Sequence, residues 1–394
     1  MTAKITFFQV GNGDMTLIRL SDSRETTILT DINIRASADD PKSSTPDAAS
    51  ALRERLKYDN DNRPFVDAFM LSHPDQDHCR GLIKHFWLGS PADYPDDKLE
   101  ATEKRIIIRE LWSSPLIFRR RSKNHMLCDD ARAFNSEARR RVKHWRENGT
   151  ASSGDRILIL GEDNDGKTDD LSLILVKAGE SIHKIDGVYT SVFSAHLLSP
   201  TPHENDQELE EKLSKNDSSI VMKMEISASS LSGNKSHFLM GGDSRVLIWE
   251  RMWERFNKTP ETLEYDLLLA PHHCSWRSLS YDSWSDMGER AKVCEAARNA
   301  LSQARNGATI ISSSNNIVDD ASDPPSIRAK REYRNIVNNA DGWFGCTGDL
   351  KNEAVLELEV AHDGKLVRVG TVGVASAATS TAAAAAPRAG TGSL

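Results

Sequence analysis

Four short apolar runs in this chain end on histidine or aspartate, and that repetition constrains the fold more than any other feature. "FVDAFML" runs into "SHPDQDHCRGL", which holds His73, Asp75, Asp77 and His78 within six positions. "SHFLM" runs into "GGDSR" and Asp243, "YDLLLAP" into His272 and His273, and "VYTSVFSAHLLSP" carries His196. A strand that ends in a loop presents its last side chains at the rim of a sheet, so a series of such endings can converge on one edge. Imidazole and carboxylate are the usual ligands of zinc, manganese and iron. His at i, carboxylates at i+2 and i+4, and His at i+5 can surround a site from two sides. The competing explanation of the first cluster is a polar loop in which Asp77 caps the helix starting at "HCRGL". One core histidine explains one such ending, but not a series.

The remaining apolar runs extend the pattern. "KITFFQV" and "MTLIRL" read as strands joined by the turn "GNGD", followed by "TTILTDIN", "RIIIREL", "RILIL", "SIVMKMEIS", "ATIISSS" and "AVLELEVA". Helical spacing appears in "DAASALRERLKY", "DHCRGLIKHFW", Ala131 to Arg146, Arg245 to Phe256, Glu289 to Ala304 and Ser326 to Asn338. Strands with interleaved helices imply a layered α/β architecture. At 38% hydrophobic and 27% charged, the 394 residues can fill a large core. The net charge of -8 excludes a globally basic nucleic-acid binder, though not a local basic patch. Five cysteines without paired spacing argue against a disulfide framework. With no long apolar run and no signal-peptide pattern at "MTAKITFFQVGNGD", a cytoplasmic protein without membrane contact is expected. "GNGDMT" lacks the lysine and the length of a P-loop. The tail 374–394 is low in complexity and is expected to be disordered, which leaves 1–373 as one domain.

Five motifs in fixed order give the chain a specific resemblance. "FFQVGNGDMTLIRL", "SHPDQDHCRGL", "NDSSIVMKME", "FLMGGDS" and "APHHCSWRS" resemble the metallo-β-lactamase superfamily, and most of all its branch of DNA-uptake competence metallohydrolases. The match runs from about Lys4 to Gly373. It implies an α+β four-layer αββα sandwich with two divalent ions, zinc or manganese, at one edge of the sheets. It implies His73 and Asp75 in a first metal site, Asp77, His78 and His273 in a second, and Asp243 bridging them. His272 becomes an alternate ligand or a proton donor, and Asp77 a catalytic residue as well. His196 lies near a third-histidine position, where an ordinary strand histidine is the alternative. Asp31 of "TDIN" is expected to support the site through hydrogen bonds. Two departures stand out: Cys274 replaces the glycine after the paired histidines, and "SDPPS" with Asp323 replaces a late His-Pro pair.

The implied activity is hydrolysis by metal-activated water, with a phosphodiester or nucleic acid as substrate. A basic insertion at about 103–148 agrees: Arg119, Arg120, Arg121, Arg139, Arg140 and Arg141 interleave with Trp112, Phe118 and Trp145. The competing reading of the same arginines is a solvated helix face, the usual place for a run of charge, with Trp145 in the core. A small-molecule esterase of the phosphocholine esterase or lactonase type and a noncatalytic binding module remain as alternatives. The module would hold no stoichiometric metal.

Overall fold

The computed structural model describes residues 2–40, 42–120, 126–202, 207–213, 215–351 and 353–369. Arg121 and the tail 374–394 lie outside the described residues. Two mixed sheets carry the chain. The first runs, in spatial order, Leu175–Val176, Arg156–Leu160, Ile106–Ser113, Pro64–Met70, Thr27–Thr30, Thr16–Arg19, Lys4–Phe8, Val355–Val360 and Leu366–Arg368. The second runs Ser181–Ile182, Phe193–Ser199, Val221–Ser227, Lys235–Met240, Tyr265–Leu269, Ala304–Ser312 and Trp343–Cys346. Each sheet is antiparallel in one part and parallel in the other. Thr27–Thr30, Pro64–Met70 and Ile106–Ser113 are parallel neighbours in the first. Lys235–Met240, Tyr265–Leu269 and Ala304–Ser312 are parallel neighbours in the second.

The period-2 rule of strands builds the layers. Phe193, Ala195 and Leu197, Met222, Met224 and Ile226, and Phe238 and Met240 face the first sheet and join its side chains in one core. The rings of Phe7 and Phe238 meet edge to face across the two sheets at 6.0 Å. Their strand neighbours Leu198, Val221 and Leu239 point the other way. There they pack with the helices Val246–Phe256, Glu295–Leu301 and Ile327–Asn338. On the outer side of the first sheet lies the helix Asp129–Asn148, whose Phe134 ring meets Phe69 at 5.8 Å. The result is a four-layer αββα arrangement, as the metallo-β-lactamase resemblance implies.

Ile106–Ser113 and Asp129–Asn148, within 103–148, belong to these layers. Ile106–Ser113 pairs in parallel with both Pro64–Met70 and Arg156–Leu160, and the following long helix covers the sheet. The helix buries a stripe of Ala131, Phe134 and Ala138 beneath its charged face. The expected helix in "DHCRGLIKHFW" is two single turns, Gln76–Cys79 and Leu82–His85, divided at Gly81, which has a φ of +92°. No helix among the described residues is long and apolar enough to cross a membrane.

Candidate metal centre

Parallel strands point the same way, so their carboxyl ends share one rim, where ligands of open α/β sheets gather. Here both sheets contribute such a rim. Asp31 follows Thr27–Thr30, His73 to His78 follow Pro64–Met70, Asp243 follows Lys235–Met240, and His272 and His273 follow Tyr265–Leu269. A backbone hydrogen bond from Ile220 N–H to the Ser72 carbonyl, at 3.0 Å, ties the two rims together.

Asp243 lies at the centre, buried, and its two oxygens face different partners. Oδ1 lies 3.1 Å from His78 Nε2 and 3.3 Å from His273 Nε2. Oδ2 lies 3.4 Å from His73 Nε2 and 3.5 Å from His272 Nε2. Asp77 Oδ2 joins the first group, 3.4 Å from His273 Nε2, and Asp75 Oδ2 the second, 3.8 Å from His73 Nε2. The structure therefore brings together His73, Asp75, Asp77, His78, Asp243, His272 and His273. Donors sharing one tetrahedral zinc at about 2.0–2.1 Å stand about 3.3 Å apart, the spacing seen here.

The residues fit a metal on independent grounds. His73 Nε2 is buried without a hydrogen-bond partner, and Asp243 Oδ1 has only the His78 and His273 imidazoles beside it, neither in hydrogen-bond geometry. Buried polar atoms are rarely left so. The His78 and His273 Nε2 atoms also face each other at 3.3 Å, where a cation resolves the conflict between two like atoms. Burial disfavours charge on both imidazoles. The nearby carboxylates outweigh it, Asp243 and Asp31 at His78 and Asp243 and Asp14 at His273, and hold both well above the ordinary histidine range. Burial likewise opposes ionisation of Asp243, yet the four surrounding histidines hold it well below the usual carboxylate range. This buried group of aspartates and histidines can hold metal ions.

Supporting contacts fix the imidazoles. Asp31 accepts from His78 Nδ1 at 2.8 Å, from the Ser72 amide at 2.6 Å and from the Ser72 hydroxyl at 2.5 Å. Its φ of +53° turns the chain sharply after the strand, a conformation Asp tolerates better than most residues. His273 Nδ1 meets the Ser313 carbonyl at 3.1 Å. His272, His273 and Cys274 all have left-handed φ, between +53° and +66°. Such backbone costs about 1–3 kcal/mol per residue and clusters at functional sites. Cys274 thus holds the left-handed position that glycine fills in the resemblance, with its thiol in the second core rather than in the Asp243 cluster. Asp323 accepts from the Ser275 hydroxyl at 2.6 Å and the Trp276 amide at 2.9 Å, bracing the loop after the paired histidines.

Two residues escaped the sequence reading. Asp14 Oδ1 lies 3.4 Å from His273 Nδ1, and Oδ2 lies 3.9 Å from His78 Nδ1. Asp14 belongs to the compact group Asp14, His78, Asp243 and His273, but it meets the outer Nδ1 edges of the rings while Asp243 meets the Nε2 edges. We therefore assign it to orienting the rings. The signal was in "GNGD": a Cβ on Gly13 would stand 2.7 Å from the Asp77 carbonyl and 2.2 Å from Asn33 Nδ2, so only glycine lets the turn press against the site. Asn216 donates to Asp243 Oδ2 at 3.3 Å and lies 3.4 Å from His272 Nε2. It opens "NDSSIVMKME", where only the strand was read.

His196 is not among the histidines that meet Asp243. It sits inside Phe193–Ser199, paired with Lys223, and its Nδ1 meets the Ser181 hydroxyl at 3.1 Å. Alternation turns it away from the inter-sheet core that takes Ala195 and Leu197. Asp77 does not cap the helix: Asp75 holds the N-cap position, and Asp77 lies inside the turn. Burial lowers the pKa of His272, so it stands neutral at pH 7, as a ligand or proton acceptor, and a donor role would first require protonation.

Most of the arginines serve the fold. Arg120 is buried against Glu210 at 2.8 Å, and Arg140 pairs with Glu137 and Asp155, each at 2.7 Å. Arg141 is buried, pairs with Glu137 at 2.7 Å, and donates to the carbonyls of Arg156 at 2.8 Å and Ile108 at 2.9 Å. Arg119 pairs with Asp163. Arg139 is exposed and meets no carboxylate among the described residues. A cleft of about 950 Å³, lined in part by Asp217, Arg245, Arg277, Trp284 and Asp323, adjoins the loop after the paired histidines.

No family model matches the chain, and no curated protein matches it. Among solved structures it is similar to a mutant of CmlA beta-hydroxylase, with 10% sequence identity over 91% of this chain and a TM-score of 0.38. The chain spans about half of that protein, 54% of its length.

Proposed function

We propose that this chain is a metal-dependent hydrolase of the metallo-β-lactamase kind, holding two divalent ions, zinc or manganese, and acting on phosphodiesters. One observation carries the reading: the two oxygens of Asp243 divide the ligand-type residues into two sets. His78, His273 and Asp77 make one set, and His73, His272 and Asp75 the other. Bound divalent ions lower the pKa of water from 15.7 to about 7 and so supply hydroxide at neutral pH. The chain's own residues do the rest. Asp31 holds a proton on His78 Nδ1 and leaves Nε2 as the ligand atom. The Ser313 carbonyl does the same for His273, and Asn216 orients His272 and Asp243. Neutral His272, only slightly exposed, is placed to take a proton.

Two features support an anionic substrate. Arg277, in the cleft that adjoins the loop after the paired histidines, is exposed and meets no carboxylate among the described residues. A groove of about 820 Å³ begins at Ser113, the carboxyl end of the strand beside Pro64–Met70. Its lining carries Arg119, Arg139, Lys143, Arg146 and Lys167; Arg119 pairs with Asp163, Arg146 with Asp170, Lys143 with Glu147 and Lys167 with Asp165, so Arg139 is the cation of the groove that meets no carboxylate among the described residues. This supports a polyanion such as nucleic acid as the substrate.

The test is metal content followed by turnover. Protein purified without chelator is expected to hold more than one equivalent of metal, and Asp77→Ala and His78→Ala to lose hydrolysis of a chromogenic phosphodiester with the fold intact. Less than about a tenth of an equivalent after reconstitution would sink the reading and favour a binding module, since such sites bind tightly. Metal with turnover of small carboxylic esters only would favour the esterase.

A further inference from the structure

Cys79 ends the single turn Gln76–Cys79 directly after His78, and Cys128 is the N-cap of the outer helix Asp129–Asn148. Their sulfur atoms stand 3.5 Å apart. Cys79 is buried and Cys128 half-buried, so only the second is open to a small oxidant. Cys128 also accepts the Ala131 amide at 3.4 Å, as a helix N-cap does. The Cys79 sulfur, which also donates to the Asp75 carbonyl at 3.3 Å, shares a hydrogen bond with Cys128; with the Ala131 amide this outweighs partial burial and brings the Cys128 thiol down to about 6. Thiolate is the reactive form of cysteine.

We propose that Cys79 and Cys128 form a peroxide-reactive dithiol whose disulfide displaces the neighbouring Asp77 and His78 and weakens metal binding. The Cys128 sulfur attacks a peroxide, which leaves as water or alcohol, and becomes a sulfenic acid. The Cys79 sulfur then displaces that hydroxyl as water and closes the S–S bond. Two thiols give up two electrons and two protons, and the peroxide O–O bond is cleaved. An S–S bond is about 2.05 Å long, so closure draws the two sulfurs together by about 1.5 Å. Metal ligands tolerate about 0.2 Å. The metal half of the proposal rests on the function proposed above, whereas the dithiol does not.

The full chain is treated with equimolar hydrogen peroxide. Thiol titration in denaturant is expected to fall from five to three, with a single Cys79–Cys128 linked peptide by mass spectrometry. Zinc affinity, read by competition with a chromophoric chelator, is expected to fall at least tenfold and to recover with a phosphine reductant. Cys128→Ser, which keeps a capping oxygen, should retain zinc affinity and lose the peroxide response. Cys79→Ser should stop at a Cys128 sulfenic acid that dimedone traps. Five surviving thiols, or oxidation at half-buried Cys294 instead, would overturn the dithiol. A disulfide with unchanged zinc affinity would overturn the coupling. A reduced protein that binds no zinc would overturn the metal half, while the linked peptide still decides the dithiol.

Discussion

Asp31 tests how the site is held, because two substitutions there separate charge from packing. Asp31→Ala strands three buried donors: the Ser72 amide, the Ser72 hydroxyl and His78 Nδ1. Each stranded group costs about 1–2 kcal/mol, which makes about 3–6 kcal/mol in all. Alanine at a φ of +53° adds about 1 kcal/mol of backbone strain. A chain of this size has an unfolding entropy of about 0.8 kcal/mol per kelvin, so calorimetry should place the Tm of metal-free Asp31→Ala about 5–9 °C below wild type. Asp31→Asn keeps the left-handed backbone and an oxygen for the Ser72 amide. Its amide nitrogen faces His78 Nδ1, which then accepts rather than donates, and the ring proton moves to Nε2, where a metal must bind. Losing such an orienting carboxylate costs about 10–100-fold in metal affinity. Asp31→Asn should therefore melt within about 2–3 °C of wild type yet compete at least tenfold more weakly for zinc against a chelator. Wild-type zinc affinity in Asp31→Asn would refute the assignment of Asp31 as the group that sets the His78 tautomer.

Further outcomes follow from other residues. Glu110 is buried beneath Trp112 and the Asp186 amide, and burial pushes its carboxyl up to about 7. Its folded pKa exceeds its unfolded value, so folding favours the protonated form and stability falls as pH rises from about 4.5 to 7. Glu110→Gln should accordingly stabilise the protein by about 3 kcal/mol at pH 8 and by almost nothing at pH 4.5, measured by urea denaturation. His78 and His273, raised above the ordinary histidine range, must lose protons to bind metal. Zinc titration calorimetry in buffers of differing ionisation enthalpy should show proton release at pH 6.5, and buffer-independent heats would contradict it. Arg141→Ala leaves the Arg156 and Ile108 carbonyls without this donor and Glu137 with Arg140 alone, and should cost about 2–6 kcal/mol in urea denaturation without changing the salt dependence of nucleic-acid binding. Arg139→Gln should be stable and flatten that dependence by about 0.7–0.9 log units per log salt. The reverse pattern would return the substrate role to Arg141.

The sequence by itself determined the elements and the kind of residue at each strand end. Period-2 apolar runs mark strands wherever one face is buried, and His73, Asp77, His78, Asp243 and His273 were legible because each closes such a run. The tertiary structure decided what these residues share. That Asp243 turns one oxygen to His78 and His273 and the other to His73 and His272 depends on how two sheets meet, a contact no local pattern encodes. Asp14 and Asn216 were missed because each follows a turn or opens a strand rather than ending one, and reaches the site only when distant segments pack. His196 misled because it is a ligand-type residue within a strand, where side-chain parity, set by which face is buried, turns it away. Arg120, Arg140 and Arg141 misled because a run of charge shows its sign but not its partners. Glu137, Asp155 and Glu210 meet those guanidinium groups only in the folded chain, where a desolvated cation is stable only if paired.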